Sequence, residues 1–159
     1  MTGQDDRKGD GMDAEKMETI AKQMMQAIPH SQALGMELDE IGPGTAVAHV
    51  PYAEKLIGDP RTGVVHGGVI TALLDGTCGT AVMTHPNAPG GTATIDLRID
   101  YMRAAKPGRT ITARAECYRV TRSVAFVRAI ADDGDPDDPV AQANGAFTME
   151  AHRRKGAKA

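Results

Sequence analysis

The stretch that decides the fold is HGGVITALLDGT, residues 66–77. Two glycines lead into Val69, Ile70, Ala72, Leu73 and Leu74, and a single carboxylate, Asp75, interrupts the apolar run. The spacing predicts one long helix that is apolar on most of its circumference and must therefore be covered on most of it. Gly76 and Gly79 cost helix propensity, which predicts close approach of another backbone, from a sheet or a second helix. Thr71, Ala72, Cys78 and Gly79 lie three and four positions from Asp75, and none is cationic. A carboxylate in such a helix either bonds a local hydroxyl or strand donor for structure alone, or it serves chemistry.

The start of the helix supplies the complement. His66-Gly67-Gly68 leaves backbone N–H groups without intrahelical partners at the positive end of the helix dipole, and the missing side chains let a ligand oxygen approach. That is the construction of an oxyanion hole. Gly67 and Asp75 are eight residues apart, which at 1.5 Å per residue is about 12 Å along the axis. One carbonyl cannot touch both. If both act on the same atom, the carboxylate comes from a second copy of the chain, through a two-fold axis that sets the two helices antiparallel. An enzyme of this design is a homodimer.

Outward from the helix the period changes. Residues 92–103, TATIDLRIDYMR, alternate, with Ala93, Ile95, Leu97, Ile99 and Tyr101 on one face and Thr94, Asp96, Arg98 and Asp100 on the other. After the turn Lys106-Pro107-Gly108, strands are predicted over 109–119, 123–131 and 140–149, the last two joined by an acidic loop, 132–139, expected as a solvated hairpin tip. Upstream, residues 34–51 read as a hairpin around Gly42-Pro43-Gly44. Connections this short make neighbouring strands antiparallel. From the predicted N-cap Asp13, Met17, Ile20, Ala21, Met24, Met25 and Ile28 mark an amphipathic helix that Pro29 stops. The class is α+β, an antiparallel sheet of about six strands wrapped around one long central helix, with an N-terminal amphipathic helix. One domain is expected over 13–150, after a disordered leader (1–12) and before a basic tail (151–159).

Composition narrows the partners. A formal charge of −3 and scattered basic residues offer nothing to nucleic acid. Cys78 and Cys117 lie far apart without a CxxC, which signals neither a disulfide framework nor a metal site and fits a reduced, cytoplasmic protein. No run of about 18 apolar residues or apolar leader is present, so no membrane partner is expected.

From about Leu34 to Met149 the chain resembles the hotdog-fold acyl-CoA thioesterases of the PaaI-like, phenylacetate-pathway branch, through VVHGGVITALLD (64–75) and TATIDLRIDYMRAAKPG (92–108). The resemblance implies a sheet-wrapped helix, dimers and often dimers of dimers, and hydrolysis of acyl-CoA thioesters with no metal or cofactor. It assigns the family's histidine and glycines to His66, Gly67 and Gly68, with the Gly67 N–H as oxyanion donor, and its catalytic acid, nucleophile or general base for water, to Asp75. A water-positioning hydroxyl falls on Thr94, although strand alternation puts Thr94 with Asp96 on the polar face, which requires a bulge or a face turned into an interface. His66 is read as orienting the glycine turn, not as a base, and Cys78 as an inert buried thiol despite His85 nearby in sequence.

One departure stands out. Where the family carries an Asn or Gln six residues before the histidine, as a second donor to the thioester carbonyl, this chain has Pro60, flanked by Asp59 and Arg61. Proline donates nothing, and one lost oxyanion donor costs about 2.7–4 kcal/mol. Either Arg61 substitutes or turnover is slow. Arg103, Lys106, Arg109, Arg119 and Arg122 lie near strand ends and turns where coenzyme A phosphates can be met, and Arg61, Lys106 and Arg122 are the expected substrate-binding residues. Two other functions fit the same fold: an acyl-CoA-binding or sensing protein, which Pro60 favours and Asp75 opposes, and a hotdog hydratase or dehydratase, for which an HFPG-type segment is missing.

Overall fold

A computed structural model describes residues 10–87 and 91–150. The chain runs α1 (Asp10–Ala27), α2 (Pro29–Leu34), β1 (Glu37–Gly42), β2 (Thr45–Val50), β3 (Ile57–Asp59), β4 (Val64–Val65), α3 (Gly67–Met83), β5 (Thr94–Tyr101), β6 (Ile111–Val120), β7 (Val124–Asp132) and β8 (Ala141–Thr148). Residues 1–9 of the expected leader and the expected tail lie outside the described residues, while α1 begins at Asp10, ahead of the predicted cap Asp13. The first helix stops at Ala27, just ahead of Pro29, as expected, but Pro29 also acts as a start. It opens α2, where the missing N–H is not needed, and Gly35, at φ 73°, closes that helix in the left-handed region.

The main sheet has six strands in the order β1-β2-β6-β7-β8-β5, every neighbour antiparallel. β3 and β4 form a separate small hairpin just before α3. The inner face of the sheet is built mainly from alanine: Ala46, Ala48, Ala113, Ala115, Ala129 and Ala143 are all buried. Side chains this short let α3 lie close on the sheet, with Leu73, Leu74, Cys78, Ala81 and Val82 fully enclosed between them. The opposite stripe of α3, through Ala72, Asp75, Gly76, Gly79 and Met83, is only partly covered. Side chains, not a backbone, occupy the space beside the two helical glycines. A Cβ on Gly76 would sit 3.0 Å from Met36 Cε, and one on Gly79 would sit 3.7 Å from the Phe147 ring.

Two expectations change at the sheet margins. The acidic loop is not wholly solvated, because Asp132 and Asp133 are buried. Arg103 reaches Asp133 through both terminal nitrogens (2.9 and 2.7 Å), the Lys106 N–H donates to it (2.7 Å), and Arg114 pairs with Asp132. β5 is an edge strand, paired on one side only with β8, and its register shifts between Thr94 and Asp96. That bulge changes which face the strand's first residues occupy.

Candidate active site

The site begins at the start of α3. His66 is extended (φ −61°, ψ 133°) and caps the helix, its Nδ1 accepting from the Gly68 N–H at 2.9 Å. An accepting Nδ1 places the ring proton of the neutral imidazole on Nε2. Of the two glycine amides, Gly68's is thus engaged by the histidine, whereas no hydrogen bond from the Gly67 N–H is found among the described residues. The β3–β4 hairpin sets the cap in place. The His66 N–H donates to the Leu56 carbonyl at 2.8 Å, and a Cβ on Gly58 would lie 2.7 Å from His66 Cα, so only glycine fits there. On the other side, the Tyr101 hydroxyl donates to the Gly67 carbonyl (2.9 Å) and lies 2.5 Å from Thr71 Oγ1. The alternation over 92–103 places Tyr101 on a strand face and gives no sign of this tie. Its position at the end of the alternating stretch carries no signal of the contact.

Two helical turns further on stands Asp75, half-buried, with the Thr94 hydroxyl donating to its Oδ1 at 2.7 Å. The bulge explains how Thr94 gets there. Thr94 pairs with Phe147, an inward-facing buried residue, while Asp96 pairs with Ala146, leaving Ile95 as the extra residue, 56% exposed. Below the bulge Leu97, Ile99 and Tyr101 pair with Gly145, Ala143 and Ala141 on the helix side, as the alternation predicts. Thr94 shares that side only because one residue is inserted. Asp75 and Thr94 line a cleft of about 320 Å³ between α1, α3 and the start of β5, whose other walls include Ile20, Met25, Ile28, Gly79, Met83 and Phe147.

The predicted substrate-binding bases divide. The turn holding Arg61 packs on the turn holding Lys106, since a Cβ on Gly63 would lie 3.5 Å from Pro107 Cβ. Both sit at the Gly67–Tyr101 end. Arg122 lies in the β6–β7 turn, beside the strand ends that carry Thr94 and Thr148, at the other end. The Arg61 side chain is 89% exposed and pairs with Asp59 (3.3 Å), whose carboxyl is held below its ordinary range by the Arg61 N–H and side chain. Arg103 is occupied by Asp133 and Asp138. Cys78 is fully enclosed, and burial together with the charges of Asp75 and Cys117 pushes its thiol up to about 12, which keeps it protonated and unreactive. Among the described residues no three His, Cys, Asp or Glu side chains gather as a metal site, and no helix is long and apolar enough to cross a membrane.

Residues 62–140 match the family model described as the thioesterase superfamily. A Halobacterium salinarum protein provisionally named an esterase is 34% identical over 124 residues, covering 73% of this chain and 81% of that protein. The medium/long-chain acyl-CoA thioesterase YigI of Escherichia coli K12 is 26% identical over 125 residues, covering 70% of this chain and 80% of that protein. A Pseudomonas aeruginosa crystal structure aligns with TM-score 0.75 at 39% identity, over 83% of this chain and 98% of that one. A mutant structure of the phenylacetic acid degradation protein PaaI from Thermus thermophilus aligns with TM-score 0.67 at 26% identity, over 77% of this chain and 99% of that one. The chain belongs to the thioesterase superfamily, as a PaaI-like hotdog protein.

Proposed function

We propose that this protein hydrolyses acyl-CoA thioesters to free acid and coenzyme A, at a site made by two copies of the chain. The single observation that carries the reading is the pairing of an oriented carboxylate with an unengaged amide on one helix. Thr94 holds Oδ1 of Asp75, leaving Oδ2 to act, while the Gly67 N–H, about two turns away, has no partner among the described residues. In the assembled site the Gly67 N–H of one copy holds the thioester oxygen, and Asp75 of the other faces the carbonyl carbon. Acting as base, Asp75 takes a proton from water as the water oxygen bonds to that carbon; the C–S bond then breaks and the thiolate leaves with the electron pair. Acting as nucleophile, its Oδ2 bonds to the carbonyl carbon as the C–S bond breaks and the thiolate leaves with the electron pair, and water then cleaves the acyl-aspartyl anhydride to the free acid and the aspartate. Either route needs one carboxylate and one donor. The eight-residue, one-sided edge strand β5, with Ile95 and Tyr101 about half exposed, supports assembly by offering an unpaired backbone edge to a second copy.

Pro60 favours a second reading, an acyl-CoA-binding protein with little turnover. Thiol release from acyl-CoAs, measured for the wild type and Asp75→Asn, decides between them. Hydrolysis is expected to fall by at least about 100-fold in the variant with folding retained. Equal rates of thiol release in the two proteins would remove Asp75 from the chemistry, and stoichiometric binding without free coenzyme A would remove the hydrolase reading.

A further inference from the structure

Three polar groups surround the unengaged Gly67 N–H, and each of them is held. The His66 carbonyl accepts from the Val69 N–H at 3.0 Å, the Gly68 N–H donates to His66 Nδ1 at 2.9 Å, and the Gly67 carbonyl accepts from the Tyr101 hydroxyl at 2.9 Å. The first two bonds are local to the helix cap. The third comes from the last residue of β5, 34 positions along the chain. Gly67 itself has no side chain to restrain its φ and ψ, and crowding does not demand glycine there, since a Cβ would meet the Tyr101 ring at an ordinary 3.6 Å. The direction of its N–H is therefore set by its surroundings. Thr71 fixes the tyrosine in turn: its Oγ1 lies 2.5 Å from the Tyr101 hydroxyl and 3.2 Å from the Gly67 carbonyl. One proton order serves all three groups, with Thr71 donating to Tyr101 and Tyr101 donating to the carbonyl, which it reaches at the shorter distance.

Resting on the thioesterase reading, we infer that Tyr101 is a positioning residue for the hydrolysis, anchoring the Gly67 amide to the sheet. β5 then carries both references of the site. Its first residue, Thr94, bonds Asp75, and its last, Tyr101, bonds Gly67. Pro60 offers no side-chain donor, so the oxyanion rests on one amide whose direction has no second donor to compensate for it. Removing the tyrosine hydroxyl leaves that donor present but less well aimed. The expected loss is smaller than the roughly 100- to 1,000-fold for deleting an oxyanion donor and falls on kcat, because the amide acts on charge that develops in the transition state.

The test compares the full-length wild type with Tyr101→Phe, which keeps the ring against Gly67, at a concentration where both sediment with the same mass. Acetyl-, decanoyl-, hexadecanoyl- and phenylacetyl-CoA are assayed by thiol release, and the fastest is used for kinetics. Tyr101→Phe is expected to melt within about 4 °C of the wild type, to lower kcat about 5- to 30-fold and to change KM less than about twofold. Thr71→Val, which leaves the Tyr101 bond in place, is expected to keep at least about a third of kcat, the scale of a bond acting at one remove. The hold itself is read from the ¹⁵N order parameter of the Gly67 amide, expected to fall in Tyr101→Phe from about 0.85 toward 0.6. An unchanged Gly67 amide, an unchanged kcat, or a larger loss in Thr71→Val than in Tyr101→Phe would each overturn the inference and leave the thioesterase reading standing. A wild type that hydrolyses none of the four thioesters would overturn the thioesterase reading, and the inferred role in hydrolysis would fall with it, whereas the Gly67 amide would still show whether Tyr101 holds it.

Discussion

The Thr94 hydroxyl donates to Asp75 Oδ1 at 2.7 Å across a bulge at Ile95, joining the edge strand of the sheet to the central helix. This bond does two things at once. It satisfies one oxygen of a half-buried carboxylate, which would otherwise be costly in an apolar helix, and it fixes the direction of the other. A helix neighbour could not supply it, since Thr71 is committed to the Gly67 carbonyl and Tyr101.

If Thr94 positions the carboxylate, Thr94→Val, which keeps the shape and removes the donor, lowers kcat by about 10- to 100-fold, the scale of a misplaced catalytic group. Thr94→Ser restores most of it. KM should change little, because the hydroxyl acts through Asp75. Full activity in Thr94→Val would detach the bond from the chemistry.

Pro60 has a structural reason to be where it is. It follows Asp59, whose carbonyl accepts from the Thr62 and Gly63 N–H groups, and proline suits that turn position. Pro60→Asn is therefore expected to cost roughly 0.4–1 kcal/mol of stability. It is also expected to raise kcat/KM about tenfold or more, as an amide supplies a missing oxyanion donor. Arg61, exposed and paired with Asp59, leaves that role open within the chain. An unchanged rate would mean that another donor already fills it.

Acid should loosen the fold at Asp133. The Arg103 guanidinium, with the Lys106 N–H, holds this carboxyl well below the usual range against the opposing effect of burial. In the unfolded chain it returns to about 3.9. Because the folded value is the lower one, its stabilisation is complete above about pH 4 and is lost as pH falls from there toward the folded value. Asp133→Asn is expected to cost stability at neutral pH at the lower end of the roughly 3–5 kcal/mol for breaking a buried pair, since Arg103 keeps Asp138. The variant should also show a shallower loss between about pH 4 and 2 in urea titrations. Parallel pH profiles for the two proteins would contradict this account.

The central helix, the six-strand antiparallel sheet and the single carboxylate were legible because each rests on periodicity within one segment. The 92–103 alternation located β5 but assigned Ile95 to the inner face, since a bulge inserts a residue without changing composition. Pro29 reads correctly as the stop of α1, but proline equally starts helices, which hides α2. The contacts of Tyr101 with Gly67, of Gly58 with His66 and of Arg103 with Asp133 join residues 34, 8 and 30 positions apart. Only the assembled fold brings such residues together. Most of the α3 stripe opposite the sheet was expected to be covered, and the half-open cleft along it was not foreseen.

The claim on which the account turns is that Gly67 and Asp75 act from different copies. Gly67→Pro isolates the donor: the position is the first of α3, where proline is favoured, and the extended His66 before it is compatible with a following proline. Gly67→Pro and Asp75→Asn, each nearly inactive alone, should be mixed under conditions that exchange subunits and assayed for thiol release. With random pairing, half the dimers are mixed and each has one intact site of two, so about a quarter of wild-type activity is expected to return. No recovery from a mixture in which exchange is demonstrated would contradict a shared site.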